Sequence, residues 1–160
     1  MATDRIFEDL IADHDRQRDL LDRIAETSGD SEERRELFEE LRLELQAHAA
    51  AEEESLYATM LANPDLRDEA RHSVSEHKEV DDMLGELVEM EFSSSGWLTR
   101  FKTMKHRYLH HIDEEEEEMF PAASKGLSEE TKKKLAAIFE KRKPKELARA
   151  EDELPGDARE

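Results

Sequence analysis

The sequence predicts an all-α protein: an antiparallel up-down four-helix bundle with an internal two-fold repeat, followed by a short C-terminal helix. Three observations predict it. Gly and Pro, which punctuate strands and tight turns, number only five and four in 160 residues and fall far apart. Between them apolar residues recur at three- and four-residue steps, the period of one helix face. The stripes also repeat: His14 and His48 stand 34 residues apart, as do His77 and His111, and the second pair follows the first at an offset of 63.

The first helix is expected from about Thr3 to Thr27, with Ile6, Leu10, His14, Gln17, Leu21 and Ile24 on one face, stopping before Ser28-Gly29. Asp30, with Glu33 three residues on, has the pattern of a capping box and opens a second helix to about Leu61. Its stripe holds Phe38, Leu41, Leu45, His48, Glu52, Leu56 and Thr59, and Asn63-Pro64 ends it. A third helix, roughly Asp65 to Phe92, carries Leu66, Ala70, Ser73, His77, Val80, Leu84 and Leu87. After Ser93-Ser94-Ser95-Gly96 the fourth runs from Trp97 to Phe120, carries Phe101, Met104, Tyr108, His111, Glu115 and Met119, and meets Pro121. A fifth helix from near Ser128, with Leu135, Ile138 and Phe139, packs on the outside. The expected layout is a bundle over 1–123, a helical extension over 124–150 and a disordered tail over 151–160, where charge and Pro155-Gly156 take over.

Asp and Glu number 43 against 24 Lys and Arg, a formal charge of −19, with 36% apolar residues. Such a balance by itself suits a disordered chain, and the helical stripes argue against that. It repels phosphate backbones and anionic membrane surfaces, so nucleic acid and membrane are excluded as expected partners. No long apolar run or leader pattern is present, and a cytoplasmic location is the default. With no cysteine, disulfides, thiolate nucleophiles and iron–sulfur ligation are excluded.

The offset of 63 lays HAAAEEESLY from His48 over HIDEEEEEMF from His111. Glu52 and Glu115 each follow their His by four residues and share its helix face, on the stripe that faces the core. Two buried carboxylates facing one another need a cation between them or must take up protons. Four imidazoles and two carboxylates around one point form a dinuclear metal site, suited to iron, manganese or zinc. His14 and His48 are assigned to one metal and His77 and His111 to the other, with Glu52 and Glu115 bridging, and each metal keeps an open position for an oxo or hydroxo bridge or a small ligand. A lone core histidine is more often structural than a ligand, and the repeat reverses those odds. Glu116 competes with Glu115, while most of the Glu114 to Glu118 run forms a solvated face. His72, His106 and His110 fall off the repeat and are expected at the surface. Tyr108, one turn before His111, is core filler or a hydrogen-bond partner of a metal-bound group. Met60, Met83, Met104 and Met119 are packing residues.

His14, HAAAE from His48, Glu76-His77, and HIDEE from His111 closing with Met-Phe-Pro together resemble the hemerythrin-like (HHE cation-binding) domain over residues 1–123. The resemblance implies a four-helix bundle holding two non-haem iron ions, with manganese or zinc as substitutes. It implies binding or sensing of dioxygen, nitric oxide, peroxide or iron, in oxidative or nitrosative stress or iron homeostasis. Oxygen carriers of the family have a second histidine on the third helix, where this chain has Ser73, and place the second carboxylate at the position of Glu116. The resulting symmetric four-His, two-Glu set resembles members linked with repair of iron centres and stress, and opens an alternative function as a peroxide-removing or oxidase-type di-iron enzyme. A third alternative is an acidic helical module that binds a protein partner.

Overall fold

The computed structural model describes residues 4–156, all helix and turn with no strand among them. The helices are α1 (Arg5–Ala25), α2 (Glu32–Glu52), α3 (Ala58–Ala62), α4 (Arg67–Glu89), α5 (Ser95–Glu114), α6 (Phe120–Gly126) and α7 (Glu129–Ala150). A π-helical turn at Glu53–Tyr57 joins α2 to α3, and another at Glu115–Met119 joins α5 to α6, so each pair forms one long interrupted rod. Among the described residues no helix is long and apolar enough to cross a membrane.

The caps differ slightly from the expected ones. Ser31 rather than Asp30 caps α2, its Oγ accepting from the Arg34 amide at 3.1 Å, while Asp30 turns to Arg35 at 3.3 Å. A serine hydroxyl satisfies one of the orphan amides of the first turn, and Asp30 gains an ion partner instead. Gly29 takes a left-handed φ of 58° in the α1–α2 turn, a conformation glycine adopts at little steric cost. Arg34 then ties three segments: it donates to Thr27 O at 2.8 Å and Phe92 O at 3.0 Å, and lies 4.7 Å over the Trp97 ring.

Pro121 does not end its rod. A proline ring strikes the carbonyl four residues back in a straight α-helix and supplies no amide donor. Here the wider turn at Glu115–Met119 precedes it, and Pro121 sits in the first turn of α6. In the other rod Ser55 Oγ donates to Ala51 O at 2.7 Å, occupying a carbonyl beside the π turn.

Helix α1 packs on α2, α5 and α7, α4 packs on α5, and α2 touches α4. Their buried faces form two apolar clusters. One holds Ile6, Phe7, Leu10, Leu56, Met60, Leu66 and Phe120, with Leu135 and Phe139 of α7; the other holds Leu21, Ile24, Phe38, Leu41, Leu84, Trp97 and Phe101. In every rod the histidine of interest falls between the residues given to one cluster and those given to the other, so the core is two oily layers with a polar layer between them.

Helix α7 lies across α1 and α2 and buries Leu135, Ala136 and Phe139, whereas Ile138, expected on its apolar face, is 41% exposed. Beyond it, where the composition points to a disordered tail from 151, the residues up to 156 are held. Arg42 donates to the carbonyls of Ala150 and Glu153, Gln46 donates to Glu153 O at 3.0 Å, and the Gly156 amide donates to Asp81 Oδ2 at 2.9 Å. Buried backbone acceptors satisfied by an arginine outweigh the polar composition there. Residues 157–160 of that expected tail lie outside the described residues.

Candidate metal centre

The polar layer contains all six residues picked out by the repeat. His14, His48, Glu52, His77, His111 and Glu115 are each at most 7% exposed. The rings of His14 and His48 lie 5.1 Å apart and those of His77 and His111 4.9 Å apart. Glu115 Oε1 stands 3.3 Å from His14 Nε2 and 3.4 Å from His111 Nε2, and Glu52 Oε1 stands 3.3 Å from both His48 Nε2 and His77 Nε2. Each carboxylate therefore spans one histidine from each pair.

The outward ring nitrogens are all engaged by carboxylates. His14 Nδ1 meets Glu116 Oε2 at 2.7 Å, His48 Nδ1 meets Asp13 Oδ2 at 2.9 Å, His77 Nδ1 meets Glu53 Oε2 at 2.9 Å and His111 Nδ1 meets Glu76 Oε1 at 2.8 Å. An ionised carboxylate only accepts, so each Nδ1 is the protonated, donating nitrogen, and in the neutral ring each Nε2 lone pair points inward. That is how a metal-binding histidine is held: the far nitrogen is anchored so that the near one is aimed and made more basic. The four partners obey the same offset of 63, Asp13 matching Glu76 and Glu53 matching Glu116. Their role escaped the sequence reasoning, which named Glu76 only beside His77 and Glu116 only as a rival of Glu115, and left Asp13 aside. Reading the repeat one residue before His14 would have paired Asp13 with Glu76.

Glu115 and Glu116 thus separate by position: Glu115 faces the interior, while Glu116 anchors His14 and pairs with Arg18 at 2.9 Å. Tyr108 is buried, but its hydroxyl donates to Gln17 Oε1, and Gln17 in turn donates to Glu44 at 2.7 Å. Tyr108 meets His111 only through its ring, 5.9 Å away, whereas the Tyr57 hydroxyl donates to Glu115 Oε2 and lies 3.5 Å from His77 Nε2. The repeat partner of Tyr57 is Phe120, stacked 5.9 Å from the His14 ring. Ser73 Oγ rests 3.8 Å from Met119 Sδ. His72, His106 and His110 are exposed, as expected.

Inside this layer the inventory of polar atoms does not close. His14 Nε2, His48 Nε2, His111 Nε2, both Glu52 oxygens and Glu115 Oε1 are buried with no hydrogen-bond partner. Orphaned buried polar atoms are rare in proteins and each is costly, so six in one place point to a missing guest. The protein's fields say which charge it carries. Burial works against a charged His48, but Asp13 and Glu52 outweigh it and push the imidazole up to about 10; His77 is pushed up to about 9 by Glu52 and Glu53 in the same way. Burial likewise opposes the Glu52 carboxylate, and His48 and His77 hold it well below the ordinary range. The layer favours positive charge at its centre, whether as protons or as a metal. His14, His48 and Glu115 bring ligand atoms within 4.8 Å of one another, as do Asp13, Glu44 and His48.

Two cavities reach the layer. The larger, about 530 Å³, runs between α2 and α4 under the end of α7 and is lined by His48, His77 and Tyr108 at its inner side. A second, about 240 Å³, opens between α4 and α5 and ends at His111 and Glu115.

A helical scaffold that buries imidazoles and carboxylates face to face, with their outer nitrogens anchored and their inner atoms unpartnered, defines a metal-cation-binding protein. Residues 5–123 match the hemerythrin HHE cation binding domain, and the chain belongs to that family. Among solved structures, the crystal structure of a hemerythrin HHE cation binding domain-containing protein from Mycobacterium kansasii is similar over 94% of this chain and 99% of that one, with a TM-score of 0.72 and 27% identity. None of the curated proteins matches the chain significantly.

Proposed function

We propose that this chain is a non-haem di-iron protein that binds or senses a small oxidant or diatomic molecule, dioxygen, nitric oxide or peroxide, or iron itself, in cytoplasmic stress response or iron homeostasis. The observation that carries this is the set of six unpartnered buried atoms between four anchored histidines. His14 and His48 would hold one ion and His77 and His111 the other, with Glu52 and Glu115 as the carboxylates shared between them. The spacing supports the assignment, since each carboxylate stands between one histidine of each pair. Residues 1–123 are the working unit, an up-down four-helix bundle of two repeated hairpins, and 124–150 an extension that covers it. Anchored imidazoles and carboxylates without sulfur suit iron, with manganese or zinc as substitutes. When bound, the pair supplies open coordination positions and one-electron redox chemistry. The chain's own residues aim the ligands, exclude bulk water through the apolar layers above and below, and place a hydroxyl proton on Tyr57 beside Glu115. The larger cavity leads small molecules to His48 and His77.

Metal analysis with an anaerobic absorption spectrum tests this. About two iron ions per chain are expected from the two-metal stoichiometry of such carboxylate-bridged bundle sites. The near-ultraviolet band of the ferric pair should change on adding nitric oxide or on reduction. A chain that stays colourless and metal-free after anaerobic loading with ferrous iron overturns the proposal. If Glu52→Gln with Glu115→Gln also raised stability without changing metal content, the acidic bundle would be a partner-binding module instead. A second reading, peroxide removal, is favoured by Ser73 standing where oxygen carriers have a further histidine, which leaves more room at the ions. Steady oxygen release from peroxide by the iron form, lost in His77→Ala, would establish it.

A further inference from the structure

The smaller cavity has a chemistry unlike that of the larger one. Asp68, Glu69, Glu114 and Glu118 line it without any lysine or arginine, whereas the larger cavity includes Lys78 and Arg149. Its lining includes His72, Glu76 and Glu114, whose ligand atoms all lie within 4.8 Å of one another. His72 Nε2 is 3.4 Å from Glu76 Oε1 and 3.4 Å from Glu114 Oε1, so an exposed imidazole on α4 faces a carboxylate of its own helix and one of α5. The inner wall is His111 and Glu115, whose Nε2 and Oε1 are among the unpartnered buried atoms. Glu76 links the two zones: the oxygen that faces His72 also accepts from His111 Nδ1 at 2.8 Å.

We propose that His72, Glu76 and Glu114 form a third cation site, a waystation on the route by which divalent metal reaches the buried layer. In the larger cavity Lys78 and Arg149 stand among the acids Glu53, Asp81, Glu146 and Glu153, so its lining is less selective for cations. Two carboxylates and a neutral imidazole compensate a divalent ion and replace part of its water shell before it meets the interior. The surrounding acids raise the local cation concentration, as an acid-lined cleft does. The ion then passes from Glu76 to His111 and Glu115 without crossing an apolar layer. On the matching side Asp9 stands at the repeat position of His72, and the carboxylates beside His48, Asp13 and Glu44, are taken by the Lys143 ammonium at 2.7 and 3.0 Å, so among the described residues it is the α4–α5 side that offers its triad to a cation.

This rests on the di-iron reading above, and the test separates the two. His72→Ala combined with Glu114→Gln removes the waystation and leaves His14, His48, Glu52, His77, His111 and Glu115 untouched. Metal-free chains are mixed with ferrous iron under anaerobic conditions and interior loading is followed by absorbance after oxidation. The double variant should load at least roughly ten times more slowly, the scale of electrostatic focusing, and reach the same final iron content. Arg149→Ala, in the other cavity, should load at the wild-type rate. Iron-loaded wild type titrated with manganese, followed by the loss of the free-ion electron spin resonance signal, should take up one further ion per chain that the double variant does not. Equal loading rates, or equal uptake of the extra manganese, overturn the waystation while leaving the di-iron centre standing. A wild type that loads no interior iron overturns both.

Discussion

Each histidine of the buried layer is defined by two carboxylates, one outside it and one inside. Removing an outer one changes the aim of the ring without removing a ligand atom. Asp13→Asn and Glu76→Gln are expected to weaken metal binding by about 10- to 100-fold, the usual cost of losing an outer partner. The two should lose similar amounts, because the repeat gives them the same task on His48 and His111. Competition against a chelator of known affinity measures this; a large loss in only one would show that the halves are not equivalent. Tyr57→Phe leaves Glu115 Oε2 without its donor, and a hydrogen bond to a charged acceptor is worth about 1.5–3 kcal/mol. Denaturant unfolding of the metal-free variant should show a loss of that size. The six central residues were legible in the sequence because a helical period and an internal repeat both single out positions. Tyr57 was not: the repeat pairs it with Phe120, and a tyrosine matched to a phenylalanine reads as packing until its hydroxyl is seen on Glu115.

The long helices were equally legible, since apolar stripes and scarce Gly and Pro are averaged over many residues. Their interruptions were not, because the π turns at Glu53–Tyr57 and Glu115–Met119 insert a single residue's worth of backbone, which no periodicity resolves. Helix α7 shows a second limit. Its Lys143 reads as one more surface charge, yet its Nζ donates to Asp13 at 2.7 Å and to Glu44 at 3.0 Å and is largely buried. Asp13 is held at about 2: burial raises it, and His48 and Lys143 overcome that. Lys143→Met should therefore destabilise the chain by about 3–5 kcal/mol, the cost of stranding a buried charge partner. It should also weaken metal binding through Asp13 and His48. Lys134→Met on the same helix, in a fully exposed pair, should cost little in chemical denaturation. Equal effects of the two would mean that α7 is not coupled to the centre.

Over the whole molecule, protons and metal compete for one place. In the metal-free chain the carboxylates around His48 and His77 outweigh burial and push these two imidazoles above the ordinary value of 6.5, to about 10 and about 9. A raised folded value means stability that is fully present below about 6.5 and lost as the pH climbs through 9 to 10. The Tm of the metal-free chain should therefore fall across that window, read by circular dichroism. The metal-loaded chain should behave oppositely, because imidazoles bind metal only when neutral and acid displaces the ions. Parallel pH trends in the two forms would refute the shared site. The formal charge of −19, which first suggested disorder, takes on a different meaning: most acids are solvated, but the few turned inward hold the histidines and their guest.

The pairing of Tyr57 with Phe120 gives the centre a handedness. Two otherwise matching halves meet a hydroxyl on one side and a bare ring on the other. Whatever polar group enters the buried layer meets a hydroxyl donor beside Glu115 and only an aromatic face beside His14. The two sides of the layer therefore differ in what they can donate, even though the histidines and carboxylates on them match.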